Sequence, residues 1–143
     1  MTTEAEAHEI IELSVEECLE LLATQPVGRV AVSSPGGAPH VVPVNYRMHG
    51  EAIVFRSDPG LKIELLRRGP VSFQVDWIDW HQRTGWSVLV QGVAAEVDDH
   101  GPEVQPWAAG PKLTWLRIMA ASISGRPLLP ADLDWATDAR AYL

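Results

Sequence analysis

The sequence predicts a mainly β protein, a closed or nearly closed barrel of six antiparallel strands with one short N-terminal helix and one small helix between strands. Short runs that alternate apolar and polar residues are separated by turns rich in Gly and Pro. The 143 residues suit one domain, and a hydrophobic content of 46% is enough for a core. The net charge of −8 and the scattered Lys and Arg argue against a nucleic-acid partner.

The N-terminal helix is predicted by its capping residues. Ser14 is an N-cap candidate, and Glu17 completes a capping box. The apolar face of this helix includes Cys18, the single cysteine of the chain, which we interpret as a small buried hydrophobe rather than a nucleophile. Neighbouring carboxylates would raise the pKa of its thiol. One cysteine cannot form a disulfide within the chain, which favours a cytoplasmic location.

The strands follow in order along the chain. The final segment, residues 113–126, fits either a helix or a strand, and we favour a strand from about Trp115 because the barrel needs one more partner. A bend is expected at Gly92, since an interior glycine often marks a bulge. The other predicted strands span residues 27–33, 40–46, 52–56, 70–77 and 85–97, with the small helix at 61–68.

These elements give one domain with two flanking segments. Residues 1–13 are predicted to be a flexible N-terminus, residues 14–126 the barrel, and residues 127–143 a tail that packs on the barrel or on a dimer partner. No apolar run reaches membrane-spanning length and no signal-peptide pattern opens the chain, so no membrane role is expected.

The turn between the third strand and the small helix predicts a phosphate site. Arg56, Ser57 and Lys62 converge on a turn that contains Gly60 and opens a helix. A helix N-terminus offers unpaired N–H groups and a partial positive charge, which suit an anion. We therefore interpret this segment as the anchor for the phosphate of a cofactor.

Pro43 lies within a predicted strand but cannot donate a ladder hydrogen bond, so it belongs at a strand edge or bulge. The backbone around Pro43, Val44 and Asn45 could then bind a flat heterocycle that carries ring N–H and C=O groups. An ordinary edge strand that faces water is the alternative, and Pro43 taken alone favours it.

Three segments together resemble the pyridoxamine 5′-phosphate oxidase-like split barrels, in particular their small flavin-binding branch. The segments are residues 43–46, residues 53–62 and residues 83–92, and the resemblance extends from about Ser14 to Arg126. It implies a six-stranded antiparallel split β-barrel that forms a homodimer and binds FMN in two grooves at the subunit interface.

The resemblance also implies roles for individual residues. Arg56, Ser57 and Lys62 match positions that hold the FMN phosphate. Val44 and Asn45, with the neighbouring Pro43 and Tyr46, match the strand whose backbone flanks the isoalloxazine ring. Trp86 and Ser87 match a strand position that supplies contacts to the ring or the ribityl chain.

The chain departs from the true oxidases at its C-terminal end. Those enzymes carry an Arg-x-His pattern for the substrate phosphate, whereas this chain has no histidine after His100. We therefore do not expect it to oxidise pyridoxamine 5′-phosphate. Related barrels bind a deazaflavin or haem, and both remain alternatives to FMN.

No catalytic residue set stands out in the sequence, and the five histidines show no metal-ligand spacing. The preferred function is a flavin-dependent oxidoreductase acting on a small organic substrate, because a flavin supplies its own redox chemistry. The alternatives are a binding or storage module without turnover, and a barrel that has lost its ligand and serves as an interaction protein.

Overall fold

The computed structural model describes residues 12–56, 64, 66, 69–98 and 114–129. Within these ranges the chain forms one helix and a closed antiparallel barrel, in which the strands follow the order β1-β2-β3-β6-β5-β4. The predicted fold class is therefore confirmed. The elements are α1 (Val15–Leu22), β1 (Val27–Val32), β2 (His40–His49), β3 (Ala52–Arg56), β4 (Pro70–Asp79), β5 (Thr84–Glu96) and β6 (Trp115–Leu128).

Helix α1 begins as the sequence predicts. The Ser14 hydroxyl accepts from the backbone N–H of Glu17 at 3.1 Å, and a Glu17 carboxylate oxygen accepts from the Ser14 N–H at 3.2 Å. This reciprocal pair satisfies two donors that would otherwise have no partner at the helix start. The helix packs on β6, where the Leu13 N–H donates to the Gly125 carbonyl at 2.8 Å.

The structure confirms that Cys18 is a core residue. Its side chain is fully buried, and burial, with a smaller contribution from Glu17, raises the pKa of its thiol. A Cβ placed on Gly125 would lie 2.6 Å from the Cys18 sulfur, so the glycine lets α1 approach the barrel wall closely. The Cys18 thiol is therefore a poor nucleophile. Its side chain packs between α1 and the barrel wall.

The barrel core consists of the inward side chains of all six strands. Alternate residues of β4 are buried, as the period of two requires. Strand β3 is buried at four of its five positions, so neither of its faces is open to water there. The largest fully buried side chains include Phe55, Phe73, Leu22, Ile53, Leu66, Leu116 and Ile118.

Strands β5 and β6 form the longest pair and contain the predicted irregularity. Gln91 pairs with Ser122 but Gly92 pairs with Ala120, so the extra residue, Ala121, lies on β6 opposite the predicted bend. A Cβ on Gly92 would lie 2.0 Å from the Met119 carbonyl oxygen, which explains the glycine.

Three strands run past their predicted ends, with β2 continuing to His49 and β4 to Asp79. The last segment is a strand from Trp115, as predicted, and it continues to Leu128. Of the predicted small helix, Glu64 and Leu66 are helical and the remaining positions lie outside the described residues. Among the helical residues that the structure describes, no segment is long and apolar enough to span a bilayer.

Candidate functional site

Strand β2 changes partners in its middle. It pairs with β1 from His40 to Asn45 and with β3 from Tyr46 to His49. The Tyr46 N–H donates to the Pro26 carbonyl on the β1 side at 3.2 Å. Because backbone groups of successive strand residues point to opposite sides, the N–H of Val41 and the nitrogen of Pro43 face away from β1.

Pro43 therefore lies in β2 at a position that needs no ladder donor. It is opposite Arg29 of β1, and its ring nitrogen faces the side from which β3 has already separated. The carbonyl oxygens of Val41 and Pro43 point to that same side, where they can accept hydrogen bonds from a group outside the barrel. This edge is the part of β2 that the sequence associated with a flat ligand.

The side chains of Val44 and Tyr46 point into the barrel, not towards that edge. Val44 is 6% exposed and Tyr46 is 3% exposed. The Tyr46 hydroxyl donates to the Leu22 carbonyl, and its ring meets Phe73 edge-on with centroids 5.0 Å apart. Burial raises the pKa of Tyr46 above its ordinary value. By the alternation described above, the backbone N–H and C=O groups of these two residues face β1.

Asn45 lies on the outside of β2, next to the point where β2 and β3 separate. Its side-chain amide donates to the Pro26 carbonyl at 3.3 Å. The β2–β3 register pairs Tyr46 with Phe55, so one further step places Asn45 opposite Arg56. Arg56, the one described residue of the predicted phosphate anchor, therefore lies next to the strand that is predicted to bind the ring.

Arg56 is the last residue of β3 and is held by an aromatic side chain. It pairs with Trp115 of β6, and its guanidinium carbon lies over the Trp115 ring, 5.3 Å from the centroid. This distance is within the range of a cation–π interaction. Ser57 and Lys62, the other two predicted anchor residues, lie outside the described residues.

Trp86 and Ser87 lie on β5. Trp86 is half-buried and packs against the core. The Ser87 hydroxyl faces outward and accepts from the Gln74 side-chain amide at 3.1 Å, which also donates to Asp76 at 3.1 Å. The Arg29 guanidinium donates to the side-chain amide oxygen of Gln74 at 3.3 Å, which completes a row of polar side chains across β1, β4 and β5.

An open cleft of about 370 Å³ lies beside this polar row. Ser87 and Gln74 line one part of it, and Leu89 and Arg126 line another. The cleft combines hydroxyl and amide groups with an apolar side chain, a cation and the carboxylate of Glu12, which suits contact with a polar organic molecule.

The predicted site residues occupy two opposite parts of the barrel. In the strand order, two strands separate β2 from β5 in either direction around the barrel. At about 4.8 Å per inter-strand step, the outer surfaces of β2 and β5 are about 14 Å apart along the wall. The register thus places Asn45 next to Arg56, whereas Ser87 pairs with Arg126, eleven residues along β6 from Trp115, the partner of Arg56.

Two features of the site were missed in the sequence. No local pattern in the sequence connects Trp115 with Arg56. Arg117, two positions along β6 on the same face, has a buried Nε that lacks a hydrogen-bond partner within the described ranges. The proximity of Trp115 and Arg117 to β3 can be recognised only when the register of β3 against β6 is known.

The titratable side chains elsewhere give no competing centre. In the part of the chain that the structure describes, no three His, Cys, Asp or Glu side chains gather as a metal site would require. His49 and His81 are exposed and His40 is half-buried. His8 and His100 lie outside the described residues.

Comparison with known proteins assigns the chain to a family. A sequence model of the pyridoxamine 5′-phosphate oxidase family matches residues 14–126. The chain belongs to the pyridoxamine 5′-phosphate oxidase family. The match covers the helix and all six strands, and it agrees with the family resemblance seen in the sequence.

Members of this family with similar sequences come from several bacteria. The uncharacterised Mycobacterium tuberculosis protein Rv0080 is 34% identical over 99 residues, which are 65% of this chain and 64% of that protein. The matched region therefore spans less than two thirds of that relative.

Two solved structures extend the similarity over most of the chain. A FAD-binding protein from Mesorhizobium loti is 30% identical, with a TM-score of 0.67 and coverage of 82% of this chain and 96% of that chain. A FAD-binding protein from Mycobacterium smegmatis is 28% identical, with a TM-score of 0.66 and coverage of 82% and 97%. The chain therefore has the fold of flavin-binding members of the pyridoxamine 5′-phosphate oxidase family.

Proposed function

We propose that this protein binds a flavin nucleotide, FMN, and acts as a flavin-dependent oxidoreductase on a small organic substrate. The observation that carries the proposal is the position of Arg56. Its guanidinium lies at the end of β3, beside the place where β2 and β3 separate. The FAD-binding proteins that share this fold support a flavin rather than another ligand.

The described residues fit a flavin in two respects. Arg56 offers a cation to a phosphate at the end of β3, and Ser57 and Lys62 follow it in the sequence. The carbonyl oxygens of Val41 and Pro43 offer acceptors to the ring N–H of a flavin, which is at N3. When bound, a flavin supplies the redox chemistry, and these residues supply its position.

The two-part arrangement of the site favours a homodimer. Arg56 pairs with Trp115 at the start of β6, and Ser87 pairs with Arg126 eleven residues further along the same strand. The two residues are therefore far apart within one chain, and one ligand that contacts both would take them from different subunits. The outer face of β5 and β6 also carries exposed apolar side chains, with Val93 at 57%, Met119 at 49% and Leu89 at 37%. Val93 and Met119 are direct cross-strand neighbours, so this face suits contact with a second copy.

The proposed substrate is not pyridoxamine 5′-phosphate. A substrate phosphate needs fixed cations that hold the reacting carbon against the flavin. The Arg-x-His arrangement that the true oxidases use for this purpose is absent from the C-terminal sequence. A less charged organic molecule is the better candidate for the cleft beside Ser87.

Ligand titration tests the proposal. The purified protein, stripped of ligand, is titrated with FMN, FAD, riboflavin and a deazaflavin, and flavin fluorescence is recorded. Arg56→Gln is expected to weaken FMN binding about tenfold or more, since a charge-assisted bond is worth ~1.5–3 kcal/mol and 1.4 kcal/mol is tenfold. Riboflavin, which lacks the phosphate, should bind the variant and the wild type equally.

Arg83→Gln is the matched control, because it removes the same charge from the exposed β4–β5 turn. Its FMN affinity should equal that of the wild type. Absence of FMN and FAD binding by the wild type contradicts the flavin proposal, and a haem absorbance band of the protein as purified would favour the haem alternative. Consumption of NAD(P)H with electron acceptors then separates an enzyme from a carrier.

A further inference from the structure

Trp115 makes a contact that packing alone does not require. It is half-buried at the start of β6, and the Arg56 guanidinium carbon lies over its ring at 5.3 Å from the centroid. The two residues are direct partners in the β3–β6 register, so their backbones are fixed relative to each other by the sheet. The contact joins a core strand to the one described residue of the proposed phosphate anchor.

The geometry of an arginine explains why such a contact matters. A guanidinium group is planar and carries its five donors in the plane. When an aromatic ring occupies one face, the in-plane N–H groups remain available to a phosphate. A free arginine side chain carries about 2 kcal/mol of rotamer entropy, part of which is lost when it binds an anion. A ring that already restricts the side chain reduces this loss.

We propose that Trp115 is a positioning residue for the phosphate group of the ligand: its ring holds the Arg56 guanidinium in the orientation that binds a phosphate. This inference rests on the proposed flavin function and adds to it. Trp115 acts through Arg56 and touches neither the ring system of the ligand nor its ribityl chain. Its contribution is therefore confined to ligands that carry a phosphate.

The consequence separates positioning from packing. If Trp115 only packs the barrel, its replacement weakens riboflavin and FMN binding alike, through general loss of structure. If it positions Arg56, its replacement weakens FMN binding and leaves riboflavin binding unchanged. The effect also disappears when Arg56 no longer carries a guanidinium.

The experiment is a double-mutant cycle with two ligands. The variants are Trp115→Leu, Trp115→Phe, Arg56→Gln and the Trp115→Leu/Arg56→Gln pair, and each is titrated with FMN and with riboflavin. Trp115→Leu is expected to weaken FMN binding about fivefold, in the range of a partly desolvated cation–π contact. Trp115→Phe keeps an aromatic face and should lose less. In the Arg56→Gln background, Trp115→Leu should change FMN binding by less than about twofold.

Trp80→Leu is the matched control, because Trp80 is 78% exposed on the β4–β5 turn. It should leave both affinities unchanged. A second readout needs no ligand, because the Trp115 ring current should shift the Arg56 Nε–H resonance of the wild type. In Trp115→Phe, which keeps an aromatic ring in case Trp115→Leu fails to fold, this shift should be smaller.

Each outcome bears on the inference. Equal losses of FMN and riboflavin affinity, or an undiminished effect of Trp115→Leu in the Arg56→Gln background, overturn the role of Trp115 while leaving the flavin proposal intact. Failure of the wild type to bind either flavin overturns both. Selective loss of FMN affinity that depends on Arg56 supports the positioning role.

Discussion

Replacement of Tyr46 by phenylalanine distinguishes a core residue from a ligand contact. The family resemblance associated Tyr46 with the ligand ring, but the structure directs its side chain inward. The hydroxyl donates to the Leu22 carbonyl at the end of α1, and the ring packs edge-on against Phe73 at an angle of 78°. Tyr46→Phe keeps the ring pair and removes only the hydrogen bond.

The expected cost follows from that single change. A buried carbonyl left without its donor costs about 1–3 kcal/mol. For a chain of 143 residues, the entropy of unfolding near 60 °C is about 0.3 kcal/mol per kelvin, so each kcal/mol lowers the melting temperature by about 3 °C. We therefore expect Tyr46→Phe to melt about 3–10 °C below the wild type.

Calorimetry and flavin titration together check this expectation. FMN affinity at 25 °C should be unchanged, because no side-chain atom of Tyr46 faces the β2 edge. Asn45→Ala, an outward substitution on the same strand, is the comparison. An unchanged melting temperature together with weakened FMN binding would refute the assignment of Tyr46 to the core.

The same residue predicts a dependence of stability on alkaline pH. Burial raises the pKa of Tyr46 above its ordinary value of 10.0 in the folded state. Above pH 10 the unfolded chain therefore loses this proton while the folded chain keeps it, so the free energy of unfolding falls as the pH rises further. Tyr46→Phe should show a smaller fall above pH 10 in denaturant titrations than the wild type.

Three further predictions concern assembly, helix packing and reaction. Light scattering at micromolar concentration should give twice the chain mass of 15.7 kDa, and Val93→Glu should shift the protein towards monomer and weaken FMN binding; a wild-type mass near 15.7 kDa contradicts the dimer. Gly125→Ala should destabilise the fold by about 1–3 kcal/mol, because its Cβ meets the Cys18 sulfur, and Cys18→Ala should restore part of that loss; additive effects would disprove the contact. The flavin-loaded protein should not convert pyridoxamine 5′-phosphate to pyridoxal 5′-phosphate at ordinary enzyme turnover, on the order of 1 per second or faster.

Local sequence patterns predicted most of the fold, because most of its helices and strands follow from capping residues or from the alternation of apolar and polar residues. The capping box of Ser14 and Glu17 marks the helix start, and the alternating burial of β4 follows from its alternating sequence. The segment from Trp115 was ambiguous, because its apolar residues fit either period. We predicted a strand there because the barrel needs a sixth strand to close, and this requirement is a property of the whole fold.

The site was predictable only in part. Arg56 could be found because the turn and helix signals surround it in the sequence. Trp115 could not be connected with it, because the contact depends on the register between two distant strands. The inward direction of Tyr46 was available from its spacing with Val44, since residues two apart share a face. The family resemblance placed Tyr46 on the strand beside the ligand ring, but it did not say whether the Tyr46 side chain points into the barrel or out of it.

The unequal lengths of β2 and β3 explain why, among the described residues, part of β2 has a strand partner on one side only. Strand β2 has 10 residues, whereas β3 has 5 and pairs with β2 only from Tyr46 onwards. An open strand edge invites another strand, but Pro43 offers no donor there and so weakens such a pairing. A flat ligand that brings its own N–H groups does not need a donor from Pro43, because it uses the carbonyl oxygens. In the proposed flavin site, the short strand leaves this edge open, Pro43 weakens the pairing of another strand there, and Arg56 at the end of the short strand adds a cation that would attract an anionic ligand.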